Sequence, residues 1–477
     1  MHSEHVAKQM VNESKKQEVK KGNTKGIPWW QLSLIGMGSI IGAGFLLGTG
    51  LSIKTAGTSM IFGYLLGGLI AFLAFSALAE MSVHDPQPGS FRTYAKLAFG
   101  HRMGFISGWM YWISGVLIMS SEVTALSIFT QYWFHSVPLW IFAIIYSILA
   151  LGINLLGMSD FGKIETVFAI IKMSTLVIFI LFGALLLFGV SPASTTMQAG
   201  SVFKPSNLFP HGFMGWWSSL IFALFSFGGI AVVGVTSNEL KHKKDVSKSG
   251  IVLIIALVCL YVLSLFMVVS MVSWTKINAG ESPFVTSLSG FPIPYLGTIF
   301  NIIIISASFS TMVGSLFSIT KVLQSLGKDG DAAKLFSHTT KKGVPIWALL
   351  LGISGLAAAI IVSFLLPSTV YEYLTAAAGV TLILNWCIIL ASQIKHRKDY
   401  LDEKAKRTFK MIGSPFTSYA GIALIAFVVC GGIFRPNERY GVFISIGIIL
   451  IIFLTYTFFV GKNRSGKSDS HATRKSS

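Results

Sequence analysis

Long apolar runs separated by short polar stretches dominate this chain. A bilayer core about 30 Å thick takes roughly 20 apolar residues of helix. Runs of that size recur at 30–51, 58–81, 104–130, 138–157, 164–189, 213–236, 249–274, 294–320, 344–366, 370–393, 414–434 and 440–461, bounded by charges or by Gly, Pro and Asn. The pattern predicts an all-α polytopic membrane protein with 12 transmembrane helices. Residues 1–27 are polar and mixed in charge, with neither the apolar core nor the small-residue cleavage site of a secretory signal. They read as a disordered cytoplasmic tail, and residues 462–477 as a second one.

Composition narrows the class. Of the 477 residues, 53% are hydrophobic and 12% charged, against about a quarter charged in soluble domains. A mean hydropathy of +0.70 excludes a soluble enzyme. The net charge of +18 invites a nucleic-acid reading, but that requires basic residues gathered on a soluble face, and the chain has too few charges to make one. The basic residues instead set orientation. With both termini inside, the external loops hold only Lys54, Lys204, Lys276, Arg435 and Arg439, and the fifth span holds Lys172; all others of the 37 Lys and Arg face the cytoplasm. A multi-pass protein of a bacterial cell membrane is expected. Cys259, Cys387 and Cys430 lie in apolar stretches without metal-type spacing and read as packing residues. No histidine falls within a span, so the buried ionisable candidates are Lys172 and Glu122, with Glu80 near the cytoplasmic end of the second span.

Two spans carry unusual glycine. The first contains GMGSIIGAGFLLGTG from Gly36 to Gly50, and the sixth contains FSFGGIAVVG from Phe225 to Gly234. Glycine weakens a helix and lets the backbone unwind. Spans 1 and 6 open two successive groups of five, and an odd number of crossings inverts the second group. Broken helices in those positions are the mark of inverted-repeat transporters; close packing of small residues is the other reading. The organisation expected is a first five-helix repeat over 28–189, a second, inverted repeat over 213–395, and helices 11 and 12 over 413–461.

At these residues the chain resembles the amino acid permeases of the amino acid-polyamine-organocation superfamily, in their bacterial amino acid transporter branch. SIIGAGFLLGTG (Ser39 to Gly50) is similar to the first-helix signature. LAEM with PGSFRTYA, GWMYWISG with SSEVTAL, SPFVTSL, LQSLGKDGDAAKLF and KKGVPIWALL resemble further family segments, so that the likeness runs from Pro28 to Lys398. It departs at span 6, where many relatives carry a glutamate after the glycine and this chain has Gly229-Ile230-Ala231-Val232-Val233-Gly234. The resemblance implies a LeuT-like fold, the 5+5 inverted repeat plus two C-terminal helices, and secondary active import of amino acids by alternating access.

An amino acid presents a carboxylate and an ammonium at fixed separation. The carboxylate is expected on amides around Gly42, Ala43 and Gly44. By family match the ammonium meets carbonyls of Phe225, Ser226 and Gly228, with Ile40 contributing from span 1. Met119, Glu122, Thr124, Phe227, Ile230 and Asn385 are candidates for reading the side chain, with ordinary helix packing the other reading of the methionine and the aromatic. Lys172 lies seven residues inside an otherwise uncharged run. Burial disfavours a lysine's charged form, which makes it able to titrate during a transport cycle. In relatives a lysine matching it resembles the occupant of a sodium site beside helix 8 hydroxyls, which match Ser310 and Thr311 here. Proton coupling through Lys172 is the expectation; a permanently charged structural cross-link is the alternative. Glu122 has three readings: proton acceptor, pocket wall, or neutral hydrogen-bonding acid. Glu80 and Glu239 read as an internal gate, as helix-end pairs with nearby bases, or as solvated charge. Exchange, sodium symport and a non-transporting amino acid sensor are the competing functions. No catalytic cluster, cofactor or metal site is expected.

Overall fold

Without water to satisfy them, the N–H and C=O groups of a lipid-embedded chain pair within their own segment, and the apolar runs of this sequence are accordingly helical. The computed structural model describes residues 26–460 apart from 88, 189–201, 238–239, 279, 292, 366–369 and 401–408. Residues 1–25 and 462–477 of the expected tails, and Glu239, lie outside these. In chain order the helices are α1 (Trp29–Ile40), α2 (Ala43–Leu46), α3 (Gly48–Ala56), α4 (Met60–His84), α5 (Phe91–Phe99), α6 (His101–Gln131), α7 (Leu139–Asn154) and α8 (Met158–Leu187). There follow α9 (Gly212–Phe225), α10 (Ile230–Thr236), α11 (Val246–Met271), α12 (Leu296–Asp329), α13 (Ile346–Leu365), α14 (Val370–Tyr400), α15 (Phe416–Gly432) and α16 (Pro436–Thr455). No strand occurs among the described residues; a single parallel bridge joins Ile27 to Leu240.

Eight helical stretches of the described residues are long and apolar enough to cross a bilayer, and α7, part of α13 and α15 are shorter apolar helices. Two expectations change. Cys259 and Cys430 point outward and only Cys387 is half-buried, because a thiol is apolar enough to face lipid and need not pack inside. The helices also overrun the expected spans, so that His84, His101 and His396 stand in end turns of α4, α6 and α14. The outer helices α8 and α16 expose most of their apolar surface, whereas α9 with α10 is almost wholly enclosed.

Both glycine-rich spans are interrupted. α1 stops at Ile40; Ile41 has φ −74 and ψ 98, and Gly42 is extended at φ −144 and ψ −155. Helix resumes when the Phe45 and Leu46 amides donate to the Gly42 carbonyl at 3.0 and 2.9 Å. Gly42 does not sit in the left-handed region, so its role is close approach: a Cβ there would stand 2.6 Å from both Glu122 and Thr311. Gly36 and Gly38 likewise admit Leu253 and Glu165. The unwinding and close-packing readings of these glycines therefore both hold. Between α9 and α10 the chain passes Ser226–Gly229 in tight turns, with the Phe227 and Gly228 amides donating to Leu224 and Phe225 carbonyls.

One end of the bundle is tied by charge. Arg92 on α5 is fully buried and reaches Asp329 (2.6 Å) and Asp331 (2.9 Å), while Lys96 meets Asp329 at 2.9 Å and His101 pairs with Asp331. Glu80, 5% exposed, accepts the Met411 amide at 2.6 Å and lies 3.8 Å from Arg397. Of its three readings the structure supports helix-end pairing with a base and removes solvated charge. Deleting the Arg92 guanidinium leaves Asp331 buried with its main cation gone, which costs about 3–5 kcal/mol. Arg92→Ala is therefore expected to lower the unfolding temperature of the detergent-solubilised protein by several degrees, while Lys96→Ala, at the half-exposed rim, shifts it by less than a degree or two.

Candidate functional site at the two helix breaks

The two interruptions face each other. Phe225 lays its ring on Gly44, where a Cβ would come within 2.7 Å of it, and Gly229 takes Ile40 at the same distance. The Ser226 hydroxyl donates to the Gly44 carbonyl at 2.9 Å and exchanges a hydrogen bond with Tyr64 at 3.0 Å, while Tyr261 donates to the Ser226 carbonyl at 3.0 Å. Tyr371 from α14 donates to the Ala43 carbonyl at 2.9 Å. Phe45 stacks on Tyr261 with centroids 3.7 Å apart. Ile40, Gly42, Ala43, Gly44, Phe225, Ser226 and Gly228 are thus gathered in one place, as expected of spans that break in register.

Glu122 is the surprise of the site. Its Oε2 accepts the Ala43 amide at 2.8 Å, and the Gly44 amide and Ser308 hydroxyl face the same carboxylate. The amides expected to hold a substrate carboxylate hold one of the chain's own. On the far side of the break, Lys172 donates to the Gly38 carbonyl and, at 3.1 Å, to the Thr311 hydroxyl. Thr311 in turn donates to the Ile41 carbonyl at 3.0 Å. The lysine joins α8 to the last turn of α1 and to α12, and 2% of it is exposed.

Among the described residues the Lys172 ammonium bonds Thr311 and not Ser310. Ser310 donates at 2.8 Å to Glu165, a fully buried carboxylate that the sequence reading passed over. This corrects the inventory of one lysine and one glutamate. The fifth span is drawn from residue 164, which leaves Glu165 at its edge, but α8 begins at Met158 and carries Glu165 two turns inside. Spacing held the signal, since Glu165 and Lys172 are seven residues apart and share a helix face. The tyrosines 64, 261 and 371 were also missed; the first two are lone phenols in apolar runs and Tyr371 stands beside Glu372 and Tyr373, and a phenol needs a partner when buried.

Of the side-chain candidates, Met119, Phe227 and Ile230 are buried, with Phe227 5.2 Å from Tyr261 in ring contact. Thr124 turns its hydroxyl back to the Ser120 carbonyl at 2.7 Å. Asn385 is held by Ser107 at 2.7 Å, ten residues along α14 from Thr375, which pairs with Ser121 beside Glu122. That puts Asn385 about 15 Å along α14 from the level of Glu122, one turn beyond Leu382, which packs on Gly228 of the second break. A cavity of about 350 Å³ opens near them, lined by Phe129, Gln131, Glu281, Ser282 and Asn301 among others; the Ser282 hydroxyl donates to the Leu46 carbonyl of α2 at 2.7 Å.

The amino acid permease family profile matches residues 31–468. The chain belongs to the amino acid permease family. An uncharacterized transporter of Bacillus subtilis, YcgH, is 39% identical over 96% of this chain and 99% of its own length. The probable threonine/serine transporter YbxG of Bacillus subtilis is 28% identical over 92% of the chain and 96% of its own. The aromatic amino acid transport protein AroP of Escherichia coli K12 is 29% identical over 91% and 95%. This permease is accordingly a multi-pass membrane protein of a transporter family, and its family implies a small-molecule amino acid substrate.

The geometry leaves no room for a side chain at Gly42 of the permease site. A methyl there must displace the Glu122 and Thr311 side chains together. Gly42→Ala is expected to lower amino acid uptake at least tenfold with the protein still inserted, measured as labelled uptake normalised to membrane-resident protein; Gly162→Ala, where the nearest neighbour to a Cβ is 3.7 Å away, serves as the neutral control.

Proposed function

We propose that this permease imports amino acids across the cell membrane by proton-coupled symport, working by alternating access. Twelve crossings form two inverted five-helix repeats, with α15 and α16 appended, and both termini lie in the cytoplasm. The substrate sits between the breaks, its carboxylate taking the Ala43 and Gly44 amides and displacing Glu122, its ammonium meeting carbonyls of the α9–α10 turn. Those groups are backbone, so they read what all amino acids share. The cavity beside Ser282 is the route in from the outer end.

The observation that carries the reading is the bridge from Lys172 to the Gly38 carbonyl and the Thr311 hydroxyl. A buried ammonium there holds the unwound helix against α12, and a change of protonation in its cluster frees α1 to move. Two cations cannot share the place, which favours proton over sodium coupling. Relatives named for threonine, serine and aromatic amino acids support the substrate class. The driving force suffices: about 2.3 kcal/mol per 100 mV and about 1.4 kcal/mol per pH unit allow one proton to concentrate a zwitterion several hundred-fold.

Purified protein in liposomes is expected to accumulate labelled amino acid under an imposed inward proton gradient, and Lys172→Ala to lose that accumulation while retaining exchange. Binding without accumulation would leave a sensor, and unaltered accumulation in the variant would remove Lys172 from coupling. The substrate itself is read by thermal shift across the twenty amino acids, since a ligand at 100 times its Kd adds about 2.7 kcal/mol of stability.

A further inference from the structure

Three buried ionisable side chains surround the α1 break: Lys172 and Glu122, each 2% exposed, and Glu165, 0% exposed. One cation stands against two carboxylates. Fully ionised, the cluster carries an uncompensated negative charge in the bundle interior, and such a charge is strongly disfavoured there. Neutrality requires one proton more than the lysine holds, on one of the two glutamates.

Their hydrogen bonds differ in kind. Glu122 faces the Ala43 and Gly44 amides besides the Ser308 hydroxyl, and an amide can only donate, so the oxygen it meets must be an acceptor. Glu165 meets a hydroxyl, which donates to a carboxylate and accepts from a carboxylic acid with equal ease. Its other oxygen, Oε1, is buried without a hydrogen-bond partner among the described residues, a poor place for ionised charge. Lys172 and Ser310 are the charged and polar groups acting on it; α1 and α11, which also pack on α8, bring no charge to it among the described residues.

We propose that Glu165 is the protonated carboxyl of this cluster and carries the coupled proton. In the conformation described, Lys172 is an ammonium, Glu122 a carboxylate and Glu165 a carboxylic acid, with no net charge. When water reaches the pocket, the Glu165 O–H bond breaks and its proton passes to water. The carboxylate left behind draws the Lys172 ammonium along their shared face of α8, away from the Gly38 carbonyl and Thr311. Glu165 thereby competes with α1 for the lysine, and reprotonation restores the bridge. The transport half of this inference rests on the proposed proton symport; the protonation state does not.

Infrared difference spectroscopy of the full-length protein in lipid tests the protonation directly. The wild type is expected to show the C=O stretch of a buried carboxylic acid, lost in Glu165→Gln and retained in Glu122→Gln. Its absence from the wild type, or its loss only in Glu122→Gln, would overturn the assignment. If the Gln variant does not fold, Glu165→Asp is expected to move the band, and an unmoved band refutes the proposal equally. In proteoliposomes Glu165→Gln is expected to retain exchange while proton-driven accumulation falls at least tenfold; accumulation at wild-type level overturns the coupling role. Should the wild type itself fail to respond to the proton gradient, the symport reading falls, and the infrared result still decides where the proton sits.

Discussion

A positive charge buried among helices has to be answered from several directions at once, and the answer given to Lys172 organises this protein. The carbonyl it takes from Gly38 is available because α1 ends at Ile40 and does not continue through the glycine-rich stretch. The break in α1 and the lysine on α8 therefore require each other. A continuous helix would have used that carbonyl itself, and without the break the ammonium would face a wall of satisfied backbone. The same break leaves the Ala43 amide without a partner in its own helix, and Glu122 supplies one. One interruption of backbone pairing thus fixes both a cation and an anion at the centre of the bundle.

Around that centre the polar groups divide by how much freedom they have. Backbone carbonyls and amides are immobile, whereas the hydroxyls of Ser226, Thr311 and the three tyrosines can turn from donor to acceptor. Hydroxyls stand where the two breaks meet and where α1 meets α12. A site that must hold its helices in one state and release them in another is well served by such groups, since each can keep a partner while its neighbours move. The charged network at Arg92 is of the other kind, with fixed donors set against fixed carboxylates. It lies at the end of α12, the helix whose middle receives the lysine, so stiffness at one end and adaptability at the centre sit on a single rod.

Much of this was legible in the sequence, for reasons that also explain the misses. Glycine in register in the first and sixth spans marked both breaks, because nothing else admits Glu122, Thr311, Phe225 and Ile40 so closely. Lys172 stood out as one charge in an apolar run. Glu165 did not, because a helix boundary cannot be read to better than a few residues from composition, and seven residues of error-prone edge hid it. The position of Asn385 was beyond reach for a different reason: its depth depends on how α14 is staggered against α6, which is a matter of three-dimensional packing. The outward-facing cysteines show the same limit, since hydropathy says that a residue avoids water and not whether it meets protein or lipid.

Glu122 gives the comparison its functional edge. With a carboxylate already seated on the Ala43 amide, the proposed binding mode has an incoming amino acid exchange one carboxylate for another, with no waiting cradle to enter. The net gain from the amide is then small, and affinity must come from elsewhere: the ammonium, the side chain, and the freedom that Glu122 regains or the new partner it finds. That partner can be Lys172, which acts on the same carboxylate electrostatically. Substrate binding would then reach the lysine through Glu122 before any helix moves. In such an arrangement substrate and proton are linked because both alter the charge balance of one buried cluster, and no separate path between two distant sites is needed.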